Sequence, residues 1–213
     1  MSATLYVVST PIGNLEDISL RALRILREVD LIAAEDTRVS RKLLNHFEIK
    51  KPLISYYEHN KSLRTGALLD ALQEGKSLAL ISDAGTPAVS DPGQDLVQAA
   101  VACDIPVVVI PGASAILTAL VASALDTQRF CFEGFLPREK KERRERLQEL
   151  VGEQRTMIFY EAPHRLKKSL ADMEEAWGSE RQISLGREMT KLHEDMLRST
   201  IGELRQLYEQ QDP

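Results

Sequence analysis

Four short apolar runs set the strongest limit on how this 213-residue chain can fold. Leu5–Val8, Leu31–Ala34, Leu78–Ile81 and the β-branched Pro106–Ile110 are too short for buried helices. They suit strands covered on both faces. Each runs into a loop marked by Pro, Gly or clustered charge, and each loop leads into residues of helical spacing. Leu53–Tyr56 reads as a further, weaker strand. Strand, loop and helix in alternation is the βαβ pattern, so a mainly parallel sheet is expected over the first half of the chain.

The helices between these runs are read from period and capping. From Asp17 to Val29, the residues Ile18, Ala22, Ile25, Leu26 and Val29 share one face, with Asp17 as the expected cap. The next helix turns Val39, Leu43, Leu44 and Phe47 inward and Arg38, Arg41 and Lys42 toward solvent. Thr65–Glu74 is expected to be closed by Gly75. Asp91-Pro92 reads as a helix start, with Asp as the cap and Pro in the first turn. The helix up to Ala124 is rich in small residues, which permit close approach of a ligand or simply tight packing.

The pattern restarts at Arg129. Strands are expected over Phe130–Phe135, Thr156–Tyr160 and Gln182–Arg187. Pro163 should open a helix reaching Trp177, and Ile201, Leu204 and Tyr208 repeat at helical spacing. Two α/β units follow, over 1–115 and 116–213, with a boundary in the region 115–128.

The balance of 27 basic against 32 acidic residues, a formal charge of −5, argues against a globally basic nucleic-acid binder but leaves room for a local basic patch. The best such patch is Arg138–Arg146, REKKERRER, with six basic and three acidic residues. It reads either as a phosphate-binding surface or as a solvated helix of Glu–Lys/Arg pairs. Arg138, Lys140, Lys141, Arg143 and Arg144 form its centre, and Arg38, Arg41, Lys42, Arg165 and Arg187 extend it. His59 and Asn60 either read a base edge or close a turn. Cys103 and Cys131 form no CxxC and lack a His at metal spacing. No metal is therefore expected, and both are expected to pack as small core residues in a reducing, cytoplasmic setting. No apolar run is long enough to span a membrane.

Five strand-end loops, 10–14, 35–38, 83–93, 111–115 and 160–165, are expected along the carboxyl edges of the strands, where open α/β sheets bind ligands. They are expected to line one cleft between the two units. They offer backbone shaped by Gly and Pro, the hydroxyls of Thr86, Ser90 and Ser114, and little positive charge. That suits a cofactor held by backbone hydrogen bonds and apolar contact. Neither GxxxxGK[ST] nor GxGxxG occurs, so the P-loop and standard dinucleotide readings fail.

Six ordered motifs carry a resemblance: Ser9-Thr10-Pro11-Ile12-Gly13-Asn14, Glu35-Asp36-Thr37-Arg38, Ser82-Asp83-Ala84-Gly85-Thr86-Pro87, Ser90-Asp91-Pro92-Gly93, Pro111-Gly112-Ala113-Ser114 and Glu161-Ala162-Pro163-His164-Arg165. From Leu5 to about Lys191 the chain resembles the tetrapyrrole methylase superfamily, the class III S-adenosylmethionine-dependent methyltransferases, and within it the branch acting on ribosomal RNA. The resemblance implies two α/β domains, S-adenosylmethionine as cofactor, and a cytoplasmic homodimer. The implied reaction is 2′-O-methylation of a cytidine in the decoding region of 16S rRNA. Implied cofactor contacts are Pro11, Ala84, Gly85, Thr86, Val89, Ser114 and Ala115. In the second unit they are Glu161 and Ala162, beside Tyr160, and Thr190, beside Met189. Tetrapyrrole enzymes usually read Gly-Asp-Pro in the middle motif, and here Thr86 replaces the acid. The family usually carries a small C-terminal extension beyond the position of Pro213.

Methyl transfer to a ribose hydroxyl calls for a base, or a cation at the forming alkoxide. Glu188, Lys191, Glu161, His164, His59 and Asp36 are candidates without a diagnostic spacing. Lys191 and Glu188 are preferred, because Arg187-Glu188-Met189-Thr190-Lys191 ends an expected strand. Two rivals stay open: a small-molecule tetrapyrrole methyltransferase of the same fold, and a non-catalytic RNA- or nucleotide-binding module. The basic 138–146 stretch and the Glu35–Arg38 cluster speak against the first.

Overall fold

Five parallel strands form the first sheet of the computed structural model, which describes residues 3–212. They are β1 (Leu5–Val8), β2 (Leu31–Ala34), β3 (Leu53–Ser55), β4 (Leu78–Ile81) and β5 (Val107–Ile110), in the order β3-β2-β4-β1-β5. The chain divides into two compact units, Met1–Ala115 and Ile116–Pro213.

In the first unit the strands' period of two feeds two cores. Val8, Ile32, Ile81 and Ile110 point to one face, where α1 (Leu20–Glu28) packs Ala22, Ile25 and Leu26, and α2 (Thr37–His46) packs Leu44. Leu5, Ala33, Leu78 and Leu80 point to the other face, against Leu68 and Leu72 of α3 (Lys61–Gln73) and Leu96 and Ala100 of α4 (Gln94–Ala102). Burial of both faces explains why these strands carry continuous apolar runs.

Three helix starts differ from the sequence expectation, each for a local reason. Asp17 lies in a short 3-10 turn, Leu15–Asp17, and Ser19 caps α1 by accepting from the Ala22 amide at 3.0 Å. α3 begins at Lys61 rather than Thr65, because the Thr65 hydroxyl donates back to the Lys61 carbonyl at 2.7 Å and so sits inside the helix. α4 begins after Gly93 rather than at Pro92, and the Asp91 carboxylate is engaged by the Ser82 side chain instead of capping. In α2, Val39 is exposed while Ser40 is buried. Cys103, one residue past α4, is exposed and Cys131 is half-buried, so neither is a core residue.

The helix α5 (Ala115–Ala122) begins at the division, with all but its first residue in the second unit. The second unit's strands β6 (Phe130–Phe135) and β7 (Thr156–Tyr160) pair in parallel, with a bulge between Phe132 and Gly134. β8 (Gln182–Arg187) pairs antiparallel with β9 (Asp195–Thr200), a strand the sequence reading missed. α7 (Pro163–Trp177) is central, packing Leu166, Leu170 and Met173 with Leu147 of α6 (Lys140–Glu149) and with Leu204 and Tyr208 of α8 (Ile201–Gln210). Among the described residues, no helix is long and apolar enough to cross a membrane, and no group of three or more His, Cys, Asp or Glu side chains could hold a metal.

α6 departs most from expectation. Its Arg143 is 5% exposed and forms an ion pair with the equally buried Asp172 of α7, at 2.6 Å. Burial alone would push the Asp172 carboxyl up, but hydrogen bonds from Arg144 and Arg143 outweigh it and hold the group below its ordinary range. Arg143 also donates to the Arg138 carbonyl at 3.0 Å. This arginine is therefore a structural cross-link between α6 and α7, and it is withdrawn from the candidate RNA contacts. Arg143→Ala leaves a buried carboxylate short of a partner and is expected to cost about 3 kcal/mol. Arg144→Ala, at a half-exposed position, should cost about 1 kcal/mol or less. Urea unfolding of both variants checks the order.

Candidate functional site

The loops that leave β1, β4 and β5 are tied together at Ser9 and Thr10. The Thr10 amide donates to the Gly85 carbonyl at 2.9 Å, and the Gly85 amide donates back to the Thr10 carbonyl at 3.1 Å. The Thr10 hydroxyl donates to the Ser82 carbonyl at 3.1 Å, and the Ser9 and Thr86 hydroxyls share a hydrogen bond of 2.8 Å. From the β5 side, Gly112 lies so close that a Cβ there would sit 2.9 Å from the Ser9 Cβ. Pro11, Ala84, Gly85, Thr86, Ser114 and Ala115, carried over from the resemblance, thus fall on three adjacent loops of one sheet edge.

The 83–93 loop is also strained. Ala88 and Ser90 adopt left-handed φ values of 68° and 64°, conformations that cost L-residues energy and persist only where surroundings enforce them. Val89, between them, is 42% exposed. Nothing in the residue types announced this conformation.

Beside these loops the carboxyl ends of β2 and β4 gather acids. Asp83 accepts from the Asp36 amide at 3.1 Å, while Asp36 holds Arg38 in a two-pronged pair and is itself lowered to about 2, chiefly by that hydrogen bond. Burial pushes Glu35, Asp83 and Asp91 up. For Glu35 the neighbouring Asp91 and Asp83 add repulsion, for Asp91 it is Asp83, and for Asp83 it is Asp36. The donor set is backbone, hydroxyl and carboxylate, which suits a cationic or neutral ligand with an extended apolar part. It suits a polyphosphate poorly.

The second unit supplies a different set. Glu188 and Lys191 lie in the β8–β9 connection, with the carboxylate 3.1 Å from the ammonium and both side chains nearly half exposed. Glu188 and Thr190 have left-handed φ values of 52° and 68°. The Thr190 amide donates to Glu194 at 2.6 Å, while its hydroxyl is buried without a hydrogen-bond partner. A buried orphan hydroxyl is costly unless something else satisfies it. Glu161 accepts from the Ala162 amide at 2.8 Å and from the Ser169 hydroxyl, and Arg165 lies 3.4 Å from it. Glu161 therefore shapes the β7–α7 turn rather than standing free as a base.

The basic candidates separate by exposure. Arg41, Lys42, His59, Arg138, Lys140 and Lys141 are exposed. Arg38 is exposed but paired to Asp36, and Arg144 is paired to Asp172 and Glu175. Arg165 is largely buried, donating to the Leu136 and Pro137 carbonyls. The expected basic surface of α6 thus loses Arg143 and keeps its lysines. Lys168, absent from the sequence reading, stands with His164 and Arg138 around a depression in this unit. Its spacing of four from His164 on a helix was the signal that could have found it.

The first unit is thus a doubly wound parallel sheet whose glycine-shaped loops are tied together at its carboxyl edge. The profile of the tetrapyrrole (corrin/porphyrin) methylases matches residues 4–205, and the chain belongs to that family. It is 56% identical to a protein of Halalkalibacterium halodurans named ribosomal RNA small subunit methyltransferase I, over 94% of this chain and 69% of that protein. A Pseudomonas aeruginosa protein of the same name is 55% identical over 96% of this chain and 73% of its own length. Among solved structures, a cobalt precorrin-4 methyltransferase superposes with a TM-score of 0.71 at 18% identity, covering 97% of this chain and 89% of that one. A diphthine synthase gives 0.71 at 14%, covering 96% and 84%. At these identities the structures share the fold alone.

Two outcomes follow from the geometry. Gly112→Ala should push Ser9 away and cost about 1–3 kcal/mol, read by denaturant unfolding. For the acids, a raised folded pKa means that the native chain holds protons the unfolded chain has already released. Stability contributed by these groups therefore falls as pH rises through the carboxylate range. Asp83→Asn with Asp91→Asn should accordingly raise the melting temperature relative to the unaltered chain more at pH 7 than at pH 4.

Proposed function

We propose that this chain transfers a methyl group from S-adenosylmethionine to the 2′-hydroxyl of a cytidine ribose in the decoding region of 16S rRNA, as a cytoplasmic homodimer. The observation that carries the reading is 56% identity, over 94% of the chain, to a relative named for small-subunit ribosomal RNA methylation. The loop geometry supports the cofactor. The tied backbone of Ala84, Gly85 and Thr86 would hold it, with Pro11 and Val89 as apolar contacts and Ser114 and Ala115 at the start of α5. The resemblance adds Glu161, Ala162 and Thr190 of the second unit as proposed contacts, and the Thr190 hydroxyl is buried without a hydrogen-bond partner. The acids Glu35, Asp83 and Asp91 complement a ligand that is positively charged at its sulfonium.

When bound, S-adenosylmethionine supplies an electrophilic methyl group. The protein's part is to orient the ribose hydroxyl and manage its proton, since an alcohol is a weak nucleophile at neutral pH. Glu188 accepts that proton at its carboxylate, and the Lys191 ammonium faces the negative charge developing on the oxygen. The two side chains already share one loop at 3.1 Å. Exposed Arg41, Lys42, His59, Arg138, Lys140 and Lys141 supply phosphate contacts.

S-Adenosylmethionine at about a hundred times its dissociation constant should stabilise the chain by about 2.7 kcal/mol in a thermal melt. Labelled methyl transfer to small ribosomal subunits and to free rRNA should place label on cytidine ribose. A chain that binds the cofactor but labels neither substrate refutes the assigned substrate. Lys191→Ala should lower kcat by about 100-fold or more while the thermal shift persists.

A further inference from the structure

The depression in the second unit has a composition that its surroundings make unusual. Its volume is 620 Å³, and Phe135, Leu136, Pro137, Arg138, Arg143, Ala162, His164, Arg165 and Lys168 line it, with no carboxylate among them. That volume lies within the range of small-ligand sites, about 300–1,000 Å³.

Its cations play two distinct parts. Arg143 and Arg165 are committed to structure. Arg143 is paired to Asp172 and donates to the Arg138 carbonyl, and Arg165 donates to the Leu136 and Pro137 carbonyls. Together they hold the 136–138 backbone in place. Arg138, His164 and Lys168 are exposed around that fixed rim. The N-terminus of α7 adds little to them: Pro163 has no amide hydrogen, the Arg165 amide donates to the Ala162 carbonyl at 2.9 Å, and the Glu161 carboxylate accepts from the Ala162 amide at 2.8 Å. At the same rim Phe135 is 53% exposed, its ring backed by Tyr160 at 5.5 Å between centroids. A large aromatic left half in water, with a second ring tilted 55° against it, offers a face for stacking.

The geometry points to a subsite for one unpaired nucleotide of an RNA strand, its base stacked on Phe135 and its phosphate held by Arg138 and Lys168. Single-stranded RNA is recognised by this combination of aromatic face and cationic groove. The subsite rests on the rRNA reading above and deepens it by naming where a nucleotide of that substrate docks. It also accounts for how a chain of net charge −5 engages a polyanion: positive charge is concentrated where a rigid rim points it.

The test uses the full chain and a fluorescein-labelled, cytidine-containing single-stranded RNA, with affinity measured from about 50 to 200 mM salt. Arg138→Ala with Lys168→Ala should weaken binding and make the slope of log K against log salt shallower by about 0.7, the loss of one phosphate contact. Phe135→Ala should weaken binding about ten-fold with the slope unchanged. Arg21→Ala with Arg64→Ala, exposed arginines of the first unit, should change neither. A thermal shift with S-adenosylmethionine, retained in every variant, shows that the fold is intact.

Unchanged affinity and slope in the Arg138/Lys168 variant, while the unaltered chain binds RNA, overturn the subsite and leave the rRNA reading standing. Absence of RNA binding by the unaltered chain overturns both. Polyglutamate bound as tightly as RNA, with no effect of Phe135→Ala, identifies a general polyanion surface and overturns the nucleotide assignment.

Discussion

Two backbone hydrogen bonds, exchanged between Thr10 and Gly85, carry the first unit's chemistry. They lie just past the ends of β1 and β4, two neighbouring parallel strands. Parallel pairing places both loops at one edge, but it does not fuse them. The bridge does so, and by consuming the amide and carbonyl of Thr10 and Gly85 it fixes the neighbouring Ala84, Thr86 and Pro11. The Ser9–Thr86 hydroxyl contact and the close approach of Gly112 then add the third loop.

Charge is divided between the units. The first gathers Glu35, Asp36, Asp83 and Asp91 at its strand ends, with burial and mutual repulsion raising three of the four carboxyls. The second exposes Arg138, His164 and Lys168 over a rim built by two committed arginines. A net charge of −5 therefore conceals two surfaces of opposite preference, one suited to a cation and the other to a phosphate. Neither is visible in a net charge.

Much of the architecture was legible. Short apolar runs and their punctuation identified β1, β2, β4 and β5, because strands covered on both faces carry continuous hydrophobic runs, while β6, β7 and β8, only partly buried, were identified from shorter apolar stretches between turn residues. β9 was not legible: Asp195–Thr200 is polar and half-exposed, and it is a strand only because β8 offers a partner. Helix starts were less secure than helix bodies, since Ser, Thr and Asp side chains have several local hydrogen-bond options. Thr65 and Asp91 took inward partners instead of capping.

The amino-acid sequence by itself determined the βα alternation and, through its six ordered motifs, the loops that bear the candidate cofactor contacts, because strand length, glycine, proline and motif order are local properties. Only the tertiary structure decided which charges remain free. Arg143 and Arg138 sit five residues apart in one basic run, yet one is buried against Asp172 and the other faces solvent. That division depends on where α7 places a carboxylate 29 residues further along the chain. A buried charge needs a partner, and packing chooses which arginine receives it.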